Sequence, residues 1–240
     1  METTSFQHIA SAEHRTLLLF LPGRGDTTRS FEKEGFLQAV RRALPDADLI
    51  GVEAHLGYYL DHTIVTRLRE DVIIPAKDQG YQDIWLIGVS MGGVGALLYD
   101  STYPGEVTGV LVLAPYLGRE SLVQKIRTAG GVERWQSSRD VHEDNSDSEA
   151  QFTALIWSRL KFYEDQKRTI GRVYLGFGNQ DRFNATDSIF GDMLPAEQVF
   201  TAKGGHDWFT WNLLGERMIN AVSASNGWSR NAAKIVPASD

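Results

Sequence analysis

The chain has 240 residues, of which 42% are hydrophobic, and this length and composition predict one globular domain with a sizeable core. Its formal net charge of −7 argues against nucleic acids and anionic membranes as partners, because phosphate binding requires clustered Lys and Arg. The lack of cysteine excludes disulfides, a thiolate nucleophile and cysteine-based zinc or iron–sulfur sites.

The N-terminal segment predicts neither secretion nor membrane insertion. It lacks a basic region, and its apolar run from Leu17 to Leu21 is too short for a signal core or a membrane span. We therefore expect a cytoplasmic protein.

Short apolar runs alternate with amphipathic segments along the chain. In chain order, the pattern predicts a strand at 16–22, a helix at 30–44, a strand at 48–54, a helix at 61–80, a strand at 83–89, a helix at 91–103, a strand at 107–115, strands at 172–178 and 198–203, and a helix at 208–224. Pro75 is expected to kink or end the second helix. Such apolar strands predict a mostly parallel, doubly wound sheet covered on both faces, which is a three-layer α/β/α sandwich.

Residues 116–170 interrupt this alternation. The segment is polar over 137–149 and then has helical character over 150–166. Because it follows the carboxyl end of a strand, we expect a helical lid inserted into a single domain that spans 1–240. The alternative is a surface helical insertion with a solvated acidic loop.

The sequence Gly88-Val89-Ser90-Met91-Gly92 is a G-x-S-x-G motif. It lies between a predicted strand and a predicted helix, which is the context of a nucleophile elbow. A sharp, strained turn would expose the Ser90 hydroxyl, and the flanking glycines would let strand and helix approach each other. The alternative, a phosphate-binding turn, is not favoured because neither G-x-G-x-x-G nor a P-loop motif occurs here.

A serine nucleophile also needs backbone N–H groups that stabilise an oxyanion. One is expected from Met91, which follows the nucleophile. The second is expected from Arg24, because Gly23 and Gly25 allow its N–H to turn into the site after the first predicted strand. A plain Pro/Gly turn is the alternative.

His206 is the best candidate for the catalytic base among six histidines. It follows the last predicted strand, at the sheet edge where ligands bind in such folds. Asp181 follows the preceding strand and is the expected acid, which would orient the imidazole. The order Ser90, Asp181, His206 is the one expected of this fold. Among the other acidic residues, Asp187 is the nearest rival and Asp192 a weaker one. Asp207 is adjacent to His206 in sequence, which makes it difficult for its carboxylate to reach the His206 ring.

At these residues the chain resembles the α/β-hydrolase superfamily. The segment GVSMGGVGALLYDSTYP resembles the elbow of the esterase D and feruloyl esterase-like branch, and Gly205-His206-Asp207-Trp208 resembles its histidine loop. The resemblance implies an α/β-hydrolase fold and hydrolysis of a carboxylic ester or thioester, with Ser90, Asp181 and His206 in the roles above. Many relatives carry a His-Gly pair in the oxyanion loop where this chain has residues 22–25, so no named substrate is transferred.

The expected function is therefore that of a serine esterase or thioesterase acting on a small molecule through an acyl-enzyme, without a metal or organic cofactor. Alternatives are an acyltransferase with the same triad, a catalytically weak ligand-binding homologue and a peptidase of this fold. Residues expected to bind substrate are Arg24, His55, Tyr58, Tyr59, Tyr116 and Trp208. Trp135 and Trp157 are lid candidates, although core packing is favoured for Trp157 and Trp85.

Overall fold

The computed structural model describes residues 1–7, 15–118, 120–135, 148–165 and 172–226. Within these ranges one sheet has the strand order β1-β3-β2-β4-β5-β6-β7. The strands are β1 (Thr3–Gln7), β2 (Thr16–Leu21), β3 (Ala47–Val52), β4 (Asp83–Val89), β5 (Gly109–Leu113), β6 (Val173–Gly178) and β7 (Val199–Ala202). All neighbouring strands are parallel except β1, which pairs antiparallel with β3 at one edge. The six strands expected from the apolar runs are confirmed, and β1 is an addition.

Helices cover both faces of the sheet. They are α1 (Thr28–Lys33), α2 (Phe36–Ala43), α3 (Leu56–Leu60), α4 (Ile64–Leu68), α5 (Ile74–Asp78), α6 (Met91–Thr102), α7 (Glu120–Thr128), α8 (Ser148–Asp165), α9 (Asn184–Gly191) and α10 (Trp208–Asn226). Helices α1, α2 and α10 pack together on one face, whereas α4, α6 and α8 pack on the other. The expected three-layer sandwich is therefore confirmed. None of the helices in the described ranges is long and apolar enough to cross a membrane.

Two of the expected helices are interrupted. The segment 30–44 is divided between α1 and α2, because Gly35 has a φ of 87°, a left-handed conformation that a helix cannot contain. The segment 61–80 continues from α4 through a π-helical turn, Arg69–Ile73, into α5. Pro75 is the second residue of α5, directly after this π-helical turn, so the helical segment does not end at the proline.

The long helix α8 of the insertion packs on α6. Trp157 is fully buried and donates its indole N–H to the Leu117 carbonyl at 2.7 Å. Tyr163 donates its hydroxyl to Asp100 on α6 at 3.1 Å. Trp135, expected to reach the substrate from the lid, is buried in the core. Residues 136–147, which include most of the polar stretch, lie outside the described residues.

Candidate active site

Ser90 forms the junction between β4 and α6. Its φ and ψ are 52° and −114°, a strained conformation for a residue with a side chain. The Ser90 N–H donates to the Leu113 carbonyl at 2.8 Å, and the Ser90 carbonyl accepts the Tyr116 N–H at 3.2 Å. These bonds anchor the strained turn to the end of the neighbouring strand β5.

The two glycines of the motif lie where no side chain fits. A Cβ atom on Gly88 would be 2.3 Å from the Gly92 carbonyl oxygen, and one on Gly92 would be 2.1 Å from the Leu21 carbonyl oxygen. Both distances are far inside van der Waals contact. The G-x-S-x-G pattern is therefore required by the close approach of α6 to β4 and β2.

Ser90, His206 and Asp181 are joined in one chain of hydrogen bonds. His206 Nε2 is 3.0 Å from Ser90 Oγ, and His206 Nδ1 is 2.8 Å from Asp181 Oδ2. The Asp181 side chain is fully buried, and its other oxygen accepts the Phe183 N–H at 2.8 Å. With Nδ1 protonated, the imidazole donates to Asp181, and Nε2 is free to accept the Ser90 proton.

Packing restrains the imidazole further. The rings of Phe183 and Trp211 meet the His206 ring edge-on, with centroids 5.0 and 4.9 Å away. The loops that carry acid and base are also linked, since the Gln180 N–H donates to the Gly204 carbonyl at 2.9 Å. The position of His206 is thus set from several sides.

The other carboxylates near the base are differently engaged. Asp207 begins α10 by accepting the Thr210 N–H at 2.9 Å, and this hydrogen bond lowers the pKa of Asp207. Asp192 is exposed. Asp187 is completely buried, and neither of its oxygens has a hydrogen-bond partner among the described residues. Burial, and secondarily the charge of Asp181, raises the pKa of Asp187 well above its usual range.

Asp187→Asn is expected to change how stability depends on pH. Between about pH 4, where the unfolded chain loses the Asp187 proton, and the raised pKa of Asp187 in the folded protein, the unfolding free energy of the wild type falls by about 1.4 kcal/mol per pH unit because of this group. Asparagine removes that loss. Urea unfolding of both proteins from pH 5 to 7 should therefore show a difference in unfolding free energy that grows with pH in favour of the variant. If the unfolding free energies of the two proteins changed in parallel with pH, Asp187 would not be neutral in the folded protein.

A cavity of about 670 Å³ opens over Ser90. Its described lining is Arg24, Leu56, Tyr59, Leu60, His62, Ser90, Met91, Tyr116, Phe152, Arg182 and Phe183. Among the residues expected to bind substrate, Arg24, Tyr59 and Tyr116 are part of it.

His55, Tyr58 and Trp208 lie outside this lining. The rings of His55 and Tyr58 stack with their centroids 4.2 Å apart. The Trp208 ring packs edge-on against Phe31, with the centroids 5.2 Å apart. Consecutive helical side chains point about 100° apart, so in α3 Tyr59 can face the cavity while its neighbour Tyr58 does not.

Sequence reasoning missed several lining residues. Arg182 and Phe183 directly follow Asp181, and this adjacency to the expected acid was an available signal. Phe152 comes from α8 and lies in the lining, as does Tyr116 at the start of the 116–170 segment. His62, which has a φ of 56°, also lies in the lining, and its place in the loop after the second predicted strand was an available signal.

The two expected oxyanion donors lie beside the nucleophile. Met91 is the first residue of α6, where helix N–H groups lack an intrahelical partner. Arg24 lies in a turn closed by the Asp26 N–H and the Gly23 carbonyl at 3.1 Å. A Cβ on Gly23 would be 3.4 Å from Ser90 Cβ, so this turn passes next to the serine. Within the described ranges, no group of three or more His, Asp or Glu side chains could hold a metal ion.

Comparison with known proteins shows the family to which the chain belongs. A family model described as "Putative esterase" matches residues 59–214, a range that contains Ser90, Asp181 and His206. An acetyl esterase from Caldicellulosiruptor saccharolyticus is 27% identical over 178 residues, covering 67% of this chain and 60% of the relative. The chain therefore spans about 60% of the length of that curated relative.

Solved structures show a similar fold. S-formylglutathione hydrolase from Staphylococcus aureus matches with a TM-score of 0.60 and 14% identity, over 89% of this chain and 83% of that chain. Est1E from Butyrivibrio proteoclasticus, solved with ferulic acid bound, matches with a TM-score of 0.61 and 15% identity, over 93% and 94% of the two chains. These likenesses confirm the expected α/β-hydrolase fold.

Proposed function

Because this chain belongs to the esterase family of α/β hydrolases, we propose that it is a serine hydrolase that cleaves a small-molecule carboxylic ester or thioester through an acyl-enzyme on Ser90. The observation that carries the proposal is the hydrogen-bonded chain from Asp181 through His206 to Ser90, with distances of 2.8 and 3.0 Å. Ser90 lies in the lining of a cavity, which gives a substrate access to the serine hydroxyl.

The first half of the reaction forms the acyl-enzyme. Ser90 Oγ attacks the acyl carbonyl carbon while His206 Nε2 takes the hydroxyl proton. The carbonyl oxygen becomes an oxyanion, which the Met91 and Arg24 N–H groups stabilise. The tetrahedral intermediate then collapses, the bond to the leaving group breaks, and His206 gives its proton to the departing alkoxide or thiolate.

The second half releases the acid. A water molecule attacks the acyl carbonyl while His206 takes its proton, and the proton returns to Ser90 Oγ as the acyl–serine bond breaks. Asp181 accepts a hydrogen bond from His206 Nδ1 and stabilises the imidazolium that forms in each half. The acetyl esterase relative makes short acyl chains the first choice for assay.

The proposal is tested by activity and by covalent labelling. We expect the wild type to hydrolyse some of a series of 4-nitrophenyl esters and acyl-CoA thioesters of increasing acyl length. A fluorophosphonate probe should label the wild type and Ser158→Ala, which removes an exposed serine hydroxyl on α8, but not Ser90→Ala. Labelling of Ser90→Ala at the wild-type rate, or no hydrolysis of any substrate, would contradict the proposal. Dominant transfer to added alcohols would instead favour an acyltransferase.

A further inference from the structure

The charged side chains in the described lining of the cavity over Ser90 are two arginines. Within the described part of the chain, the lining contains Arg24, His62 and Arg182 but neither Asp nor Glu. The chain as a whole has the opposite balance, with 31 acidic residues against 24 Lys and Arg. The cavity is therefore a local site of positive charge on an acidic protein, which attracts anions.

Two of these residues approach Ser90 from opposite sides. Arg24 follows β2 and Arg182 follows β6, whereas Ser90 follows β4, which lies between those strands in the sheet. Parallel strands bring their carboxyl ends to one edge. Two arginines from loops on opposite sides of Ser90 thus line one cavity, so a bound molecule can contact either or both.

Neither guanidinium group forms an ion pair within the part of the chain that the structure describes. Among the described residues, no carboxylate pairs with either one, whereas Arg69 binds Glu106 with an N–O distance of 2.8 Å. Both side chains are exposed at the cavity. The Arg182 guanidinium lies 4.8 Å from the centroid of the Phe183 ring. Stacking of this kind orients a guanidinium group and leaves its N–H donors available to a ligand.

The remaining lining favours ion pairing at these positions. Leu56, Leu60 and Phe152 contribute apolar walls. Charges interact more strongly beside apolar surface than in bulk water, and the planar guanidinium group matches the paired oxygens of a carboxylate or phosphate. A neutral substrate would leave both guanidinium groups without a charged partner among the described residues.

We propose that the substrate is an ester or thioester that carries a carboxylate or phosphate group, which Arg24 and Arg182 bind. The proposal rests on the function proposed above, and it adds the chemical class of the substrate. The anionic group lies on the acyl side or on the leaving-group side of the scissile bond, and the experiment distinguishes these cases.

The test compares kcat/KM for charged and neutral substrates of matched shape. On the acyl side, the 4-nitrophenyl monoester of glutaric acid is compared with 4-nitrophenyl pentanoate. On the leaving-group side, 4-acetoxybenzoate and 4-acetoxyphenyl phosphate are compared with 4-acetoxybenzamide. Each ratio is measured for the wild type, Arg24→Gln, Arg182→Gln and Arg182→Lys. The control is Arg42→Gln, because Arg42 is exposed, pairs with Glu216 at 3.7 Å and lies outside the cavity lining.

We expect at least one charged-to-neutral ratio to fall about tenfold in Arg24→Gln and in Arg182→Gln, because each variant removes a charge-assisted hydrogen bond. Arg182→Lys should restore part of the loss. Arg42→Gln makes the same change in net charge and should keep the wild-type ratios. The backbone N–H of Arg24 is retained in Arg24→Gln, and any effect on the oxyanion cancels in the ratio. The pair whose ratio falls identifies the position and type of the anionic group.

Ratios that stay the same in both arginine variants while the wild type hydrolyses the neutral esters would overturn this proposal and leave the proposed function standing. A wild type that hydrolyses none of the five substrates, and that a fluorophosphonate probe does not label, would instead reject the proposed function itself. If the charged-to-neutral ratio fell equally in Arg42→Gln, the net charge of the protein rather than the cavity would set the preference for charged substrates. That result would also overturn the proposal.

Discussion

His206→Ala is expected to lower kcat for the best ester by about 10⁴-fold or more, as is Ser90→Ala. The reason is that base and nucleophile act as one unit across the 3.0 Å contact between Nε2 and Oγ. Without the imidazole, the serine hydroxyl keeps its proton at neutral pH and attacks slowly. Single-turnover and steady-state kinetics on an activated 4-nitrophenyl ester would measure the loss.

The double variant Ser90→Ala/His206→Ala tests whether these residues form a unit. If they do, the double variant is no slower than either single variant, because removal of one partner already abolishes the function of the other. If the decrease in kcat of the double variant equalled the product of the two single decreases, the two residues would act independently. The thermal midpoints of the three variants, followed by circular dichroism, separate a catalytic loss from a loss of folding.

Asp181→Asn is expected to lower kcat by about 10⁴-fold, whereas Asp187→Asn should change it by less than about tenfold. The Asp181 carboxylate accepts from His206 Nδ1 at 2.8 Å, and an amide in its place would favour the wrong imidazole tautomer. Asp187 makes no hydrogen bond through either oxygen within the described residues, so the matched amide removes no contact to the base.

Comparison of these two isosteric variants also decides between the two acids that the sequence offers. Both aspartates follow β6, and both are buried. A loss of activity in Asp187→Asn as large as that in Asp181→Asn would mean that Asp187 supports the base after all. Rates measured from pH 6 to 9 would show whether either variant shifts the pH dependence as well as the maximum rate.

Much of the site could be predicted from local sequence. The elbow at Ser90 depends on glycines at two positions and on an apolar strand that precedes a helix, and all these features are contiguous in the chain. The turns that follow β6 and β7 likewise place Asp181 and His206 at the edge of the sheet where β4 ends. Strand order alone therefore favours their meeting, although the hydrogen-bond distances come from the structure.

Side-chain direction was less predictable. Tyr58 and Tyr59 are neighbours in sequence, but only Tyr59 lines the cavity, because α3 turns between them. The edge strand β1 was missed since its five residues lack a continuous apolar run. Arg182 was overlooked because its place in the cavity lining depends on the conformation of the loop that follows β6.

The amino-acid sequence by itself determined the order of strands and helices, the elbow at Ser90 and the choice of His206, since each depends on residue types within a few positions along the chain. The sequence also favoured Asp181 over Asp187, but only the tertiary structure gave its 2.8 Å contact with His206 and brought Arg24 and Arg182 into the lining of the same cavity. The physical reason is that these relations join residues far apart in sequence, and packing across the sheet sets the distances between them.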